Sequence, residues 1–244
     1  MILNENQLLS RIKGIMDQVP QIFLDYDGTL VPIINDPEFN QADKSLIDLL
    51  ASLNTAYETY IVTGRDICEI MRFIGEYNII GLHGATFRIQ GENLAVPGFK
   101  KYEQLSGKLY SENMYLVDEF PGLRIYRKSG GLLFHTGNIQ NPEKIKELRK
   151  IIIVLARKFN MELYTGIDIL ELRMPGVDKG NAIKLLRNKD RQAIIMGDDA
   201  TDEDSFKLNP DAITIKVGGQ DTYAKYSINY SSVRPFLLNL LDLQ

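Results

Sequence analysis

A chain of 244 residues has room for a large core, as one domain or as a domain carrying a smaller insertion. With 44% hydrophobic residues, 25% charged residues and a net charge of −4, it has the make-up of a soluble globular protein, and no global basic field to draw in nucleic acid or an anionic membrane surface. An anionic substrate must therefore be met locally, and a single cysteine, Cys68, excludes an internal disulfide framework and fits a reducing compartment.

The opening residues lack the apolar core and small-residue cleavage site of a signal peptide. Leu8, Leu9, Ile12, Ile15 and Met16 share one helical face, which predicts a short amphipathic helix. No stretch has the apolar length to span a bilayer, so the expectation is a cytoplasmic protein without membrane or nucleic-acid partners. Ile22-Phe23-Leu24 then predicts a buried strand ending at Asp25. A helix over 43–53 and a strand over 59–62, ending at Thr63, follow it. Cys68 lies in the apolar-periodic run after Arg65, which predicts a packed thiol.

The middle of the chain changes rhythm. A Lys-rich helical stretch over 100–115 precedes strands over 122–127 and 132–135, joined across Ser129-Gly130-Gly131. A long helix has Pro142 as its first residue and Ile145, Leu148, Ile152 and Leu155 along one face. A second hairpin, 162–164 with 169–172, turns at Thr165-Gly166. Ala193-Ile194-Ile195-Met196 forms another buried strand, ending at Gly197-Asp198, and 212–215 a further one. These elements predict an α/β protein: a doubly wound, Rossmann-like parallel sheet core over 1–97 and 174–244, with an inserted α+β cap of order αββαββ over 98–173. Ligands of open α/β sheets bind beyond the carboxyl ends of the strands, where Asp25, Thr63 and Asp198 are expected to converge.

The segment FLDYDGTL puts Asp25 and Asp27 one residue apart after a buried strand, with Gly28 to relax the backbone and the Thr29 hydroxyl beside them. Two carboxylates this close repel and ask for a cation, and Mg2+ suits carboxylates together with water and phosphate oxygens. One carboxylate can then attack phosphorus while the other moves protons. Taken alone, Asp-x-Asp-Gly is equally a turn with Asx hydrogen bonds. The run MGDDATDED adds Asp198, Asp199, Asp202, Glu203 and Asp204 after a second buried strand. A solvated acidic helix start accounts for part of it, but not for Asp198 and Asp199 standing at a strand end beside Gly197.

Together, DYDGT, VTGR, GVDKG and GDDATDED resemble the haloacid dehalogenase-type phosphatases, and more narrowly their trehalose-6-phosphate phosphatase branch. The similarity runs from about Gln21 to the C-terminus. It implies Asp25 as the nucleophile that becomes a phospho-aspartate, and Asp27 as general acid and then base, its backbone carbonyl also meeting the metal. It further implies Thr63 as a hydrogen-bond donor to phosphoryl oxygens, and Lys179 as the lysine that offsets charge around nucleophile and phosphate. Asp198 matches the metal-binding carboxylate, with Asp199 or Asp202 beside it or holding a metal-bound water. Arg65 is expected at the mouth of the crevice, on phosphate or a sugar hydroxyl. His83, in GLHGA, is either substrate-proximal or a buried structural histidine.

In the insert, Arg124, Lys128, Glu171 and Arg173 are the expected sugar contacts; Glu171 and Arg173, as alternate residues of a strand, share a face. The sequence departs from the branch where Tyr126 replaces a Glu and Gly137 an Arg. The function implied is Mg2+-dependent hydrolysis of trehalose 6-phosphate, with the cap excluding water and contacting the sugar. Other sugar phosphates (sucrose phosphate, mannosyl- or glucosyl-phosphoglycerate), a phosphomutase and a non-catalytic sugar-phosphate sensor are the alternatives. Any trehalose-phosphate synthase partner is expected to be a separate protein; the oligomeric state is open.

Overall fold

The computed structural model describes residues 2–15, 19–34, 39–166, 168–219 and 221–243. The chain falls into two compact units, Met1–Leu94 with Asp178–Gln244, and Ala95–Val177.

The first unit is built on a nine-stranded sheet. Its strands are β1 (Ile2–Leu3), β2 (Gln21–Asp25), β3 (Glu58–Val62), β4 (Asn78–Gly81), β5 (Thr86–Ile89), β6 (Glu92–Ala95), β11 (Ala193–Gly197), β12 (Ile213–Val217) and β13 (Tyr226–Ile228). Their spatial order is β1-β13-β12-β11-β2-β3-β4-β5-β6, parallel from β1 to β4, with β5 antiparallel to β4. Helices α1 (Glu5–Lys13), α2 (Lys44–Ala56), α3 (Ile67–Ile74), α7 (Lys179–Leu186), α8 (Ala200–Leu208) and α9 (Val233–Leu241) cover it. The β2, β3 and β11 strands are buried nearly end to end, the mark of a sheet covered on both faces. Alternate residues sort between those faces. Ile22, Leu24, Ile61, Ile194 and Met196 join the cluster that includes Leu8, Leu46, Leu50, Ile70 and Phe236 from α1, α2, α3 and α9. Phe23 faces the other way and stacks on Tyr60 with ring centroids 4.8 Å apart. Asp25, two residues further along β2, has the same parity as Phe23.

The second unit holds α4 (Phe99–Asn113), α5 (Leu116–Glu119), β7 (Arg124–Lys128), β8 (Gly131–His135), α6 (Pro142–Phe159), β9 (Glu162–Gly166) and β10 (Ile169–Arg173). Its antiparallel sheet runs β7-β8-β10-β9. Ile125, Leu132, Phe134, Leu170 and Leu172 turn one face of that sheet toward Tyr102, Leu109, Leu148 and Ile152 of α4 and α6.

Three expectations need correction. Helix α1 ends at Lys13 with Gly14 as its cap, so Ile15 lies beyond it, 43% exposed, while Leu8 and Ile12 carry the buried stripe; Met16 lies outside the described residues. Cys68 is exposed: the inward face of α3 is taken by Ile67, Ile70, Phe73 and Ile74, and residue 68 points away from it. Thr165 and Gly166 are paired in β9, opposite Leu170 and Ile169, so the reversal comes after them. Asp168 takes up a left-handed φ of 54° there, a conformation its short polar side chain tolerates; Ile167 lies outside the described residues. The short strands β1, β4, β5, β6 and β13 carry too few residues for a periodic signal and were not foreseen.

Candidate active site

The sheet order reverses at β2. From there the chain winds outward through β3 and β4, and later resumes on the opposite flank with β11, β12 and β13. Such a switch point opens a crevice at the carboxyl ends of the flanking strands. Asp25 ends β2, Thr63 follows β3 and Asp198 follows β11, so the three strand-end residues stand on adjacent strands. Helices α7 and α8 begin at the same end: Lys179 is the first residue of α7, and Asp199 caps α8.

Lys179 ties these parts together. Its Nζ is 2.7 Å from Asp25 Oδ1 and 2.9 Å from Asp202 Oδ1, and the lysine is 2% exposed. Asp202 Oδ2 accepts from the backbone N–H groups of Asp198 and Asp199, at 3.0 and 3.2 Å. Asp199 Oδ1 accepts from the N–H groups of Thr201 and Asp202 and from the Thr201 hydroxyl. Two glycines make room. A Cβ on Gly28, which has a φ of +82°, would fall 2.1 Å from Asp198 Oδ2, and one on Gly197 would fall 2.1 Å from Asp202 Cγ.

The electrostatics of this cluster are short of positive charge. Burial, with Asp198 and Asp199 nearby, pushes Asp25 well above the ordinary carboxylate range despite Lys179. Burial and the neighbouring Asp25 and Asp199 do the same to Asp202, and burial with Asp202 and Asp199 pushes Asp198 up to about 7. Burial works against an ionised Asp199 too, yet Lys179 and the hydrogen bonds from Thr201 and Asp202 hold it well below its usual range. Lys179 stays protonated because Asp202 and Asp25 outweigh the cost of burying it. Lys179 alone cannot balance four carboxylates, and a bound divalent cation would offset the burial and repulsion that favour their protonated forms. The geometry fits one. Asp25, Asp198 and Asp202 each offer an oxygen, all within 4.8 Å of one another, and buried Asp25 Oδ2 accepts no hydrogen bond among the described residues. These three can hold a metal ion. Of the other two residues expected at the metal, Asp199 uses its carboxylate to cap α8, and Asp27, expected there through its backbone carbonyl, has its carboxylate held by Arg65.

Asp27 sits in a second network. Arg65 donates to both its oxygens, Nε to Oδ2 at 2.6 Å and an Nη to Oδ1 at 2.7 Å, while Asn40 Nδ2 donates to Oδ1 at 2.9 Å. Arg65 also pairs with Glu69 one turn into α3, and its guanidinium lies 5.3 Å from the Phe73 ring centroid. Burial works to strip its proton, but Asp27 and Glu69 hold it more firmly protonated than usual. Thr63 is 1% exposed; its hydroxyl oxygen accepts from the Arg65 N–H at 3.1 Å, leaving its own hydrogen to donate. His83 has a left-handed φ of 56°, and its imidazole fills the space beside Gly64, where a Cβ would come within 2.5 Å of Nε2.

Sequence reasoning missed Asn40 and Lys216. Lys216 is 2% exposed, donates to the Asp198 carbonyl at 2.5 Å and pairs with Glu203 at 3.2 Å, so it pins the acidic turn from below. A charge inside the apolar strand ITIKV was its one available signal.

In the second unit, strand register puts Arg124, Tyr126, Lys128, His135, Glu171, Arg173 and Tyr164 on the sheet face opposite its helices. Lys128 Nζ meets Glu171 Oε1 at 2.9 Å. Arg173 pairs with Glu162 at 2.6 Å and lies over the Tyr164 ring at 4.9 Å.

The trehalose-phosphatase family profile matches residues 23–227. A trehalose-6-phosphate phosphatase-related protein of Thermoplasma acidophilum is 46% identical over 91% of this chain and 98% of its own length. A trehalose-phosphate synthase of Dictyostelium discoideum is 32% identical over 93% of this chain, which spans 30% of that longer protein. A crystal structure of a trehalose-6-phosphate phosphatase-related protein, 45% identical, superimposes with a TM-score of 0.87 over 91% of this chain and 97% of that one. The C-terminal domain of a Candida albicans trehalose-6-phosphate phosphatase, 22% identical, shares the fold, with a TM-score of 0.81 over 99% of this chain and 97% of that one. With a profile match spanning most of its length and a relative 46% identical along nearly all of its own, the chain belongs to the trehalose-phosphatase family.

Proposed function

We propose that the protein hydrolyses trehalose 6-phosphate to trehalose and phosphate through a phospho-aspartate on Asp25, with Mg2+ as the metal. The observation that carries this reading is the buried Asp25 carboxylate, anchored through Oδ1 to Lys179, while Oδ2 takes no hydrogen bond among the described residues. An anchored carboxylate with one uncommitted oxygen is oriented for in-line attack on phosphorus. Mg2+ on Asp25, Asp198 and Asp202 would supply positive charge to the phosphoryl oxygens.

Lys179 adds a fixed ammonium beside the attacking carboxylate, and the Thr63 hydroxyl donates to a phosphoryl oxygen. Asp27 gives a proton to the departing sugar oxygen and then takes one from the water that opens the acyl phosphate. Lys128, Glu171, Arg124 and Arg173, which share one face of the inserted sheet, bind sugar hydroxyls. Phosphate release is the test, measured with Mg2+ on trehalose 6-phosphate, sucrose 6-phosphate, glucose 6-phosphate and mannosyl-3-phosphoglycerate. A strong preference for trehalose 6-phosphate that EDTA abolishes and Mg2+ restores is expected. Preference for another member of the panel would move the substrate and keep the chemistry, and no release from any would refute the reading.

A further inference from the structure

We propose that Asn40 and Arg65 are positioning residues for Asp27, a three-donor clamp that fixes which carboxylate oxygen carries the transferred proton. The inference rests on the reading that Asp27 moves that proton. A carboxylate offers four lone-pair positions. On Oδ1, Asn40 Nδ2 and an Arg65 Nη occupy both, at 2.9 and 2.7 Å; on Oδ2, Arg65 Nε occupies one, at 2.6 Å. Among the described residues, the remaining position belongs to Oδ2.

The clamp is itself held by buried groups. Asn40, 5% exposed, also donates to the Pro32 carbonyl at 2.8 Å, and its own backbone carbonyl accepts from the Tyr26 hydroxyl at 2.9 Å. Tyr26 is fully buried. Arg65 is braced by Glu69 and lies beside the stacked Phe73 and Tyr26 rings, 5.3 and 5.9 Å from their centroids. Asp27, by contrast, has a side chain 34% exposed, so its open edge is available while its fixings are not. Without these donors the Asp27 side chain, in a turn loosened by Gly28, would sample several rotamers, and proton transfer needs a heavy-atom approach of about 2.6–3.2 Å.

The step is the transfer of the phosphoryl group. An Asp25 oxygen forms its bond to phosphorus, the bond from phosphorus to the sugar oxygen breaks with its electron pair on that oxygen, and Asp27 supplies the proton. An alkyl sugar oxygen needs that proton to leave; p-nitrophenolate does not. Values of kcat/KM, which report the reaction through this first transfer, are therefore compared for trehalose 6-phosphate and p-nitrophenyl phosphate in wild type, Asn40→Ala, Arg65→Lys and Asp27→Asn. Expected is a loss at least about tenfold larger for the sugar phosphate than for the aryl phosphate in all three variants. Equal losses on both esters in Asn40→Ala and Arg65→Lys, or no loss, with Asp27→Asn still selective, would overturn the clamp. Equal losses in Asp27→Asn would instead overturn the proton-donor reading beneath it. Circular-dichroism melting identifies a variant that fails to fold, and Arg65→Lys, which keeps the charge and loses the fork, stands in if Asn40→Ala does.

Discussion

Lys179 holds two carboxylates at once, 2.7 Å from Asp25 and 2.9 Å from Asp202, where almost no water reaches it. Removing one partner from such a buried group leaves uncompensated charge, which typically costs about 3–5 kcal/mol. Lys179→Met should lose most activity and about that much stability in urea unfolding at pH 7, with a smaller stability loss at pH 5, where the stranded acids protonate. Asp25→Asn acts in the opposite sense, since it takes a charge out of a like-charged cluster. It should abolish turnover while leaving the melting temperature unchanged or higher; phosphate release at the wild-type rate would contradict a nucleophilic Asp25. The short strings around these residues were legible in the sequence because each joins a buried strand to a polar turn. Asn40 was not, since it lies in an irregular segment before α2, and its neighbours in space are Asp27 and Pro32 rather than anything its own neighbours in sequence announce. Lys216 was hidden differently: a strand residue's partners depend on the strand beside it.

Among the elements, α8 sets two carboxylates of the site from its first turn. Its cap residue Asp199 and its third residue Asp202 form a reciprocal capping box, and Asp202 turns from there to Lys179. Asp199→Ala should cost about 0.5–2 kcal/mol in urea unfolding, and Asp199→Asn should recover most of it; an alanine variant as stable as wild type would mean that the cap carries no stability. Helices α1, α2, α4 and α6 were readable from period, and the start of α6 from Pro142. The strands β5 and β6 at one end of the sheet were not, because four residues each are too few to show a period-2 pattern. The second hairpin was found but its turn was placed early: Thr-Gly looked like a turn, whereas pairing with Leu170 and Ile169 kept both residues in the strand.

For the whole molecule, the acidic cluster ties folding to both pH and metal. Burial raises Asp198 to about 7 in the folded protein, against about 3.9 for an unfolded Asp. Between about pH 4 and about 7 the folded state then keeps a proton that the unfolded chain has released, so the stability it contributes is lost as pH rises through that window. Protein kept in chelator should melt at a lower temperature at pH 8 than at pH 5, and added Mg2+ should narrow the gap; higher stability at pH 8 in chelator would be the contrary result. The inserted unit has a separable prediction: Lys128→Ala should raise KM for trehalose 6-phosphate far more than for p-nitrophenyl phosphate, and equal effects would argue against a sugar contact. The place of β2 also bears on how the protein is made. It lies near the start of the chain, yet one of its two neighbours in the sheet is β11, which begins at Ala193. During synthesis β2 can pair with β3 early but must keep its other edge open until β11 emerges, so Asp25 is made well before its acidic partners arrive. A ribosome-bound chain that ends before β11 would therefore carry Asp25 without a finished site, on a strand edge that invites pairing with the wrong partner.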